Sequence, residues 1–448
     1  MGKYFGTDGV RGIANTELSP ELSYKIGRAG AHVLTNGKKH VKIIVGKDTR
    51  ISGDMLEAAL ESGICSVGAD VISVGVIPTP AVAHLVREYG ADAGVVISAS
   101  HNPVEYNGIK FLDSQGFKLP DSVEEEIERL IDSELEGIPS PTGSDVGRFL
   151  KQETACEDYI DFLMNAAETK LDGMKVALDC SEGAAFKCAP ELFKRLGADV
   201  YTIHNNPDGT NINKDCGSTH LEAIKQFTVE NKCDIGLAFD GDADRCLAVD
   251  ENGEEVNGDF IMTVLAKHFK DKGELEKDTL VVTVMSNMGL FIACDREGIK
   301  LEKTKVGDRY VLENMKANGY KIGGEQSGHI ILLDHNTTGD GLLTALYLTT
   351  VLKESGKALS DLKSVMTELP QVLVNAKVPN EKKNIFNEDE CIVEKIREVE
   401  SSLDGRGRVL IRASGTEPLV RVMLEGENIE EIEQMANEIA DMILAKSK

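Results

Sequence analysis

The chain has 448 residues, 41% of them hydrophobic and 28% charged, with 75 Asp and Glu against 49 Lys and Arg and a formal net charge of −26. The length exceeds one ordinary core and sets a prior of about three domains. The charge argues against nucleic acid as a partner, and any anionic ligand must be held by locally gathered basic groups. Nine scattered cysteines without a C-x-x-C pair read as reduced thiols in a cytoplasmic protein. No apolar run reaches the ~18 residues of a membrane span, and the start Met1-Gly2-Lys3-Tyr4 carries no apolar leader, so no membrane partner is expected.

Taken in chain order, strands are expected at 41–45, 93–97, 175–179 and 279–285. A helix–glycine–strand pattern recurs: helix 55–67 before Gly68-Ala69-Asp70-Val71, helix 189–196 before Gly197-Ala198-Asp199-Val200, and helix 290–297 before Gly298-Ile299-Lys300-Leu301. In each copy the glycine suits the left-handed position that ends a helix. Strands alternating with helices imply βαβ units, and three copies imply three related α/β domains. The Gly/Pro/Ser-rich stretch 136–144 and the turn signal Glu251-Asn252-Gly253 separate them. Beyond residue 368, strands at 371–378, 408–412 and 419–424 precede an amphipathic helix at 429–446. The expected fold is three α/β domains with mixed, largely parallel sheets (1–150, 151–252, 253–368) plus a small C-terminal α+β domain (369–448).

The motif with the most chemistry is Asp240-Gly241-Asp242-Ala243-Asp244, leaving the apolar run 235–239. Three carboxylates at alternate positions repel one another unless a cation lies among them. An all-oxygen set selects a hard cation, Mg²⁺ or Ca²⁺. Arg245 adds a fixed positive charge. An EF-hand would need glycine at its sixth position, where Arg245 stands, and the apolar residues 246–249 read as a returning strand. A solvated acidic turn is the plain alternative.

Ser98-Ala99-Ser100-His101-Asn102-Pro103 follows the strand 93–97. Adjacent Ser and His side chains usually diverge, and no G-x-S-x-G elbow is present, so a serine-hydrolase reading is weak. Arg412-Ala413-Ser414-Gly415-Thr416-Glu417-Pro418, with Arg421, reads as an anion nest with flanking guanidinium groups. Gly323-Gly324-Glu325-Gln326-Ser327-Gly328-His329 reads as a tight loop with polar groups suited to sugar hydroxyls. Gly6-Thr7-Asp8-Gly9-Val10-Arg11-Gly12 and Thr304-Lys305-Val306-Gly307-Asp308-Arg309 are further loop candidates, each unspecific alone.

Together, in this order and spacing, these motifs resemble those of the α-D-phosphohexomutase family, from residue 6 to residue 421. The resemblance implies four domains around a central cleft, each contributing one loop. Lys3 to Gly12, Ile97 to Pro103, and Gly324 to His329, with Gln326 where glucose- and mannose-type members usually have Met, are similar to bacterial members acting on glucosamine phosphate. It implies a cytoplasmic isomerase converting glucosamine 6-phosphate to glucosamine 1-phosphate, toward UDP-N-acetylglucosamine. A phosphorylated Ser100 would be the donor and glucosamine 1,6-bisphosphate the intermediate. One Mg²⁺ would be held by Asp240, Asp242, Asp244 and a phosphoserine oxygen of Ser100.

By the same resemblance, Arg412, Ser414, Gly415, Thr416 and Arg421 would hold the non-transferring phosphate. Glu325, Ser327 and Gly307 would bind the sugar. Arg11, His101, Lys110, Arg245 and His329 would serve proton handling and phosphate contact, with the general base left open. A homodimer and a diadenylate cyclase partner, as some bacterial relatives have, belong to the same set of expectations. Other readings are a glucose or mannose phosphate mutase of the same family, a Ser100-dependent phosphatase, and a non-catalytic sugar-phosphate-binding regulator.

Overall fold

The apolar runs that read as buried strands form the centres of the sheets. The computed structural model of the chain describes every residue except Met1, Gly2, Thr7, Gly37, Gly415, Thr416 and Lys448. It divides into two compact units, one of Met1–Met285 with Ile299–Val365, the other of Ser286–Gly298 with Met366–Lys448.

Among the described residues, the larger unit holds three mixed sheets. In the first, Ala93–Ile97, buried at every position, lies between Lys42–Lys47 in parallel and Tyr106–Asp113 in antiparallel register. Asp70–Val76 and Phe149–Lys151 extend the parallel side, and Gly9–Ile13 and Phe5–Gly6 the antiparallel side. The second sheet sets Ile235–Phe239 parallel to Lys175–Asp179, which is parallel to Asp199–Ile203. It then turns back through Cys246–Val249 and Glu255–Val256. The third runs Lys300–Thr304, Thr279–Thr283, Ile322–Gly324 and Ile330–Leu332, only the last strand antiparallel. Parallel strands covered by helices carry the long apolar runs, as both faces are buried. Gly197 and Gly298, with φ of +92° and +67°, stand one residue past their helices' C-caps. Gly68, at +91°, stands two past its own.

One expectation needs correction, and two expected domain borders fall within sheets. The segment 6–12 is not an open loop: Phe5–Gly6 and Gly9–Ile13 form a hairpin, because Tyr106–Asp113 offers a strand edge, pairing Val10 with Ile109. The break at 150/151 cuts the strand Phe149–Lys151, which pairs with Asp70–Val76. The turn 251–253 closes a hairpin inside the second sheet, which runs on to Val256. Turn residues mark hairpins as readily as linkers.

The smaller unit is an antiparallel sheet, with Leu419–Gly426 between Gln371–Lys377 and Gly407–Ala413, packed against Glu390–Leu403 and Ile429–Lys446. Val420, Val422 and Leu424 point to one face and meet Ile432, Ala436, Ile439 and Ile443 of the last helix in a single core. Met288–Arg296, which lies in the segment 253–368 by sequence, groups with this unit by its contacts. The Met288 N–H donates to Glu425 Oε2 (2.9 Å) and Asn287 Nδ2 to the Leu369 carbonyl (3.0 Å). Glu425 is fully buried and takes two guanidinium bonds from Arg408, at 2.7 and 3.1 Å. Removing one partner of such a pair strands a buried charge. Arg408→Leu is therefore expected to destabilise this unit by about 3–5 kcal/mol. Thermal unfolding followed by circular dichroism checks this; an unshifted first transition would contradict it.

Candidate active site

The loop 240–244 begins where the buried strand Ile235–Phe239 ends, and Cys246–Val249 returns antiparallel to it. Strands, not helices, flank the loop, which removes the EF-hand reading. The Ala243 N–H closes a turn onto the Asp240 carbonyl (3.0 Å), and Ala243 adopts a φ of +56°. One oxygen from each of Asp240, Asp242 and Asp244 lies within 4.8 Å of the others, all three residues buried. The Asp242 side chain accepts from Thr79 Oγ1 (2.7 Å) and Lys110 Nζ (3.0 Å) through Oδ2. Asp242 Oδ1 and Asp244 Oδ1 are buried with no hydrogen-bond partner among the described residues. Buried carboxylate oxygens without donors are costly. A hard divalent cation offsets that cost, so the donor set fits Mg²⁺.

The electrostatics agree. Burial, then the charges of Asp244 and Asp242, push Asp240 well above the ordinary carboxylate range. Burial pushes Asp244 the same way, but His329, Lys110 and Arg245 outweigh it and hold it below that range. Burial favours neutral Lys110, yet Asp242 and Asp8 outweigh it and raise it above ordinary lysine.

Ser100 lies at the carboxyl end of Ala93–Ile97. It adopts a left-handed φ of +52°, rare for a side chain of this kind. Its hydroxyl donates to Asp240 Oδ2 at 2.6 Å. The left-handed turn also brings its neighbour round, so that Ser100 Oγ and His101 Nδ1 are 3.3 Å apart, where adjacent side chains were expected to diverge. Arg245 Nη1 reaches the same His101 nitrogen at 3.3 Å. Burial first, then Arg245 and Arg11, lower the His101 pKa and keep its imidazole neutral near pH 7.

A cleft of about 520 Å³ opens in this unit, lined among others by Arg11, Lys118, Arg245, Gly307, Glu325 and His329. Glu325 Oε1 accepts from the Gly307 N–H at 3.1 Å, joining two loops the sequence left separate. His329 is buried, with Nδ1 3.5 Å from Asp244 Oδ2 and Nε2 accepting from the Gly339 N–H (3.1 Å). Ser327 is exposed on the turn beside Glu325 and does not line the cleft. Two participants, Lys118 and Thr79, escaped the sequence reading. Lys118 bridges Asp8 Oδ1 and Asp308 Oδ2, both at 2.7 Å, and Asp8 also pairs with Arg11 and Lys110. Asp8 and Asp308 stood inside quoted motifs, but Lys118 and Thr79 carried no local signal.

A second group of ligating side chains, Asp179, His204 and Cys216, lies at the ends of the strands Lys175–Asp179 and Asp199–Ile203. Asp179 already accepts from Ser181 N, Gly217 N and His204 Nδ1, at 2.8, 3.0 and 2.9 Å, so it acts as a hub for its loop.

In the smaller unit, Arg412 and Arg421 are directly opposed on neighbouring strands. Burial and then Arg421 lower the Arg412 pKa, the mark of two like charges held together. Arg421 also pairs with Glu417 (3.1 Å), and Lys383 Nζ donates to the Ser414 carbonyl (2.7 Å). Gly415 and Thr416 lie outside the described residues. The group is a basic patch suited to an oxyanion.

A buried acidic triplet against a serine, beside a cleft lined by both acidic and basic side chains, on three mixed α/β sheets, is a scaffold suited to phosphoryl transfer. The chain belongs to the α-D-phosphohexomutases: it matches the phosphoglucomutase/phosphomannomutase α/β/α domain I over residues 2–137, domain II over 157–253 and domain III over 257–369, and the C-terminal domain over 373–442. Over 446 residues it is 63% identical to the phosphoglucosamine mutase of Clostridium perfringens (strain SM101), covering all of both chains. The same fold occurs in a phosphoglucomutase/phosphomannomutase family protein from Burkholderia thailandensis, with a TM-score of 0.79, 24% identity, and 98% and 97% of the two chains covered. It occurs also in Aspergillus fumigatus N-acetylphosphoglucosamine mutase, solved with GlcNAc-6P and magnesium, with a TM-score of 0.65, 17% identity, and 99% and 96% covered. No helix among the described residues is long and apolar enough to cross a membrane.

Proposed function

We propose that this protein is an isomerase that interconverts glucosamine 6-phosphate and glucosamine 1-phosphate by phosphoryl transfer. The observation that carries the reading is the Ser100 hydroxyl on the acidic triplet, in a chain 63% identical from end to end to a phosphoglucosamine mutase. Phosphorylated Ser100 gives its phosphoryl group to the anomeric O1 of glucosamine 6-phosphate: the P–O1 bond forms, the P–Oγ bond breaks, and the proton lost from O1 is matched by the one Oγ gains as it ends as a hydroxyl. Glucosamine 1,6-bisphosphate then turns round and returns its 6-phosphoryl group to Ser100. Asp240, Asp242, Asp244 and a phosphoserine oxygen would hold one Mg²⁺, which supplies positive charge to the phosphoryl group in transfer.

The other residues divide by charge. Lys110, kept protonated by Asp242 and Asp8, and Arg245 and Arg11 serve as cations rather than bases. Asp240, which accepts the hydroxyl at 2.6 Å, and neutral His101, 3.3 Å from Oγ, are the groups within reach of the serine proton when Ser100 is rephosphorylated. His329 orients Asp244. Glu325 and Gly307, which line the cleft, take sugar hydroxyls. Arg412, Ser414, Gly415, Thr416 and Arg421 take the second phosphate. Four segments, 1–150, 151–252, 253–368 and 369–448, each contribute one loop, an organisation supported by the ranges of the four family matches. A cytoplasmic homodimer completes the reading.

The test is a substrate panel. Glucosamine 6-phosphate is expected to exceed glucose 6-phosphate and mannose 6-phosphate in kcat/KM by about ten- to hundredfold, the range one recognised substituent gives. Equal turnover of all three would refute the amino-sugar assignment, and release of inorganic phosphate at the rate of turnover would make the protein a phosphatase.

A further inference from the structure

Arg50 is fully buried, although it touches neither the acidic triplet nor the cleft lining. Its Nε donates to Asp48 Oδ2 at 2.9 Å, an ion pair with no exposure on either side. Its other four N–H groups all go to carbonyls of one loop. Nη2 donates to the Ser100 and Asn102 carbonyls (3.0 and 2.7 Å), and Nη1 to those of Pro103 and Tyr106, the latter at 3.0 Å. A guanidinium has five donors, and here all five are used, a pattern that lysine cannot reproduce. Asp48 in turn accepts from Ser98 Oγ (2.6 Å), which accepts from the Ser100 N–H (2.9 Å).

A second side chain reaches the same two carbonyls from the second sheet's loops. Asn213 Nδ2 donates to Ser100 O at 2.8 Å and Asn102 O at 3.1 Å. Its amide cannot be turned over without breaking these bonds, and Ser181 Oγ holds the other end by donating to Asn213 Oδ1 (2.8 Å). Ser181 is itself anchored on the Asp179 hub. The contact is tight: a Cβ at Gly241, inside the acidic loop, would lie 2.6 Å from the Ser100 carbonyl and 2.8 Å from Asn213 Nδ2. So the carbonyls of Ser100 and Asn102 each accept two side-chain bonds, one from each sheet. The residue whose backbone is gripped is the one held at a left-handed φ, which a free loop would leave.

We propose that Arg50 and Asn213 are positioning residues that lock the Ser100 loop from two sides and keep the serine oxygen in one place through both phosphoryl transfers. This rests on Ser100 being the phosphoryl carrier. Between the two transfers the sugar turns round, whereas the serine must donate and receive at the same point. A loop free to relax would lose that fixed point without losing substrate affinity.

The test uses the full-length Asn213→Ala and Arg50→Lys variants, with kcat and KM for glucosamine 6-phosphate, circular dichroism, and intact mass. Misplacement by about 1 Å costs up to about 10²-fold in rate. Asn213→Ala is expected to lower kcat about tenfold and Arg50→Lys about a hundredfold, with KM within about twofold because neither residue lines the cleft. Both variants should still carry phosphate. A folded Asn213→Ala variant with wild-type kcat, or one whose loss lies wholly in KM, overturns the proposal; this variant decides if Arg50→Lys does not fold. Wild-type protein that turns over without phosphate on Ser100 would instead overturn the carrier reading beneath it.

Discussion

Ser100→Ala is expected to abolish turnover and leave the fold standing. The hydroxyl makes one strong bond, to Asp240 Oδ2, and one longer contact, to His101 Nδ1. Its loss costs about 0.5–1.5 kcal/mol of stability, a typical net hydrogen bond. The backbone of residue 100 remains held through its carbonyl and N–H by Arg50, Asn213 and Ser98. Chemically the loss is of another order. The proposed route needs an oxygen that forms and breaks a P–O bond in every cycle, and alanine has none. Removing a covalent nucleophile lowers kcat by roughly 10⁴-fold or more. Intact-mass measurement should find one phosphate on the active protein and none on the variant, with unchanged circular dichroism. If the alanine variant keeps a tenth of the wild-type rate, Ser100 is not the carrier.

Asp242→Asn should have the next largest effect, and through the metal. Asp242 gives one oxygen to Lys110 and Thr79 and keeps the other, Oδ1, without a donor. The amide preserves size but removes a charge from the set that would hold Mg²⁺, and it weakens the hold on Lys110. Changes even to groups that only support metal ligands cost 10–100-fold in affinity, so about a hundredfold weaker Mg²⁺ dependence is expected for a ligand itself. A Mg²⁺ titration of activity, with direct binding by calorimetry, reads this. An unchanged titration curve would reduce the triplet to an acidic turn.

What could be read from sequence follows how locally each feature is encoded. The acidic triplet and its flanking strands occupy one short segment, and alternation plus an apolar run sufficed to place them. Ser100 was legible for the same reason, although its closeness to His101 depends on a backbone angle no pattern announces. The Lys118 bridge was not legible. Its partners Asp8 and Asp308 lie on distant segments, and a lone lysine looks like any solvated one. The hairpin at Gly9–Ile13 was hidden because its partner strand, Tyr106–Asp113, decides its conformation. The contacts of the helix Met288–Arg296 with the smaller unit were not legible, because periodicity reports a buried face and not what buries it.

That helix bears on how the chain can be cut and made. The C-terminal sheet completes its hydrogen bonding with a stretch that interrupts the sequence of the larger unit, and neither part is a bead on a string. During synthesis Met288 and Ser286 emerge well before Glu425 and Arg408, their partners. The early segment must wait for the late one, so this sheet cannot complete its structure until Arg408 and Glu425 have left the ribosome. A fragment starting at Met366 would carry Glu425 and Arg408 without the backbone groups that satisfy them. The piece that looks most like a detachable module in the sequence is the one whose borders lie furthest from any single cut.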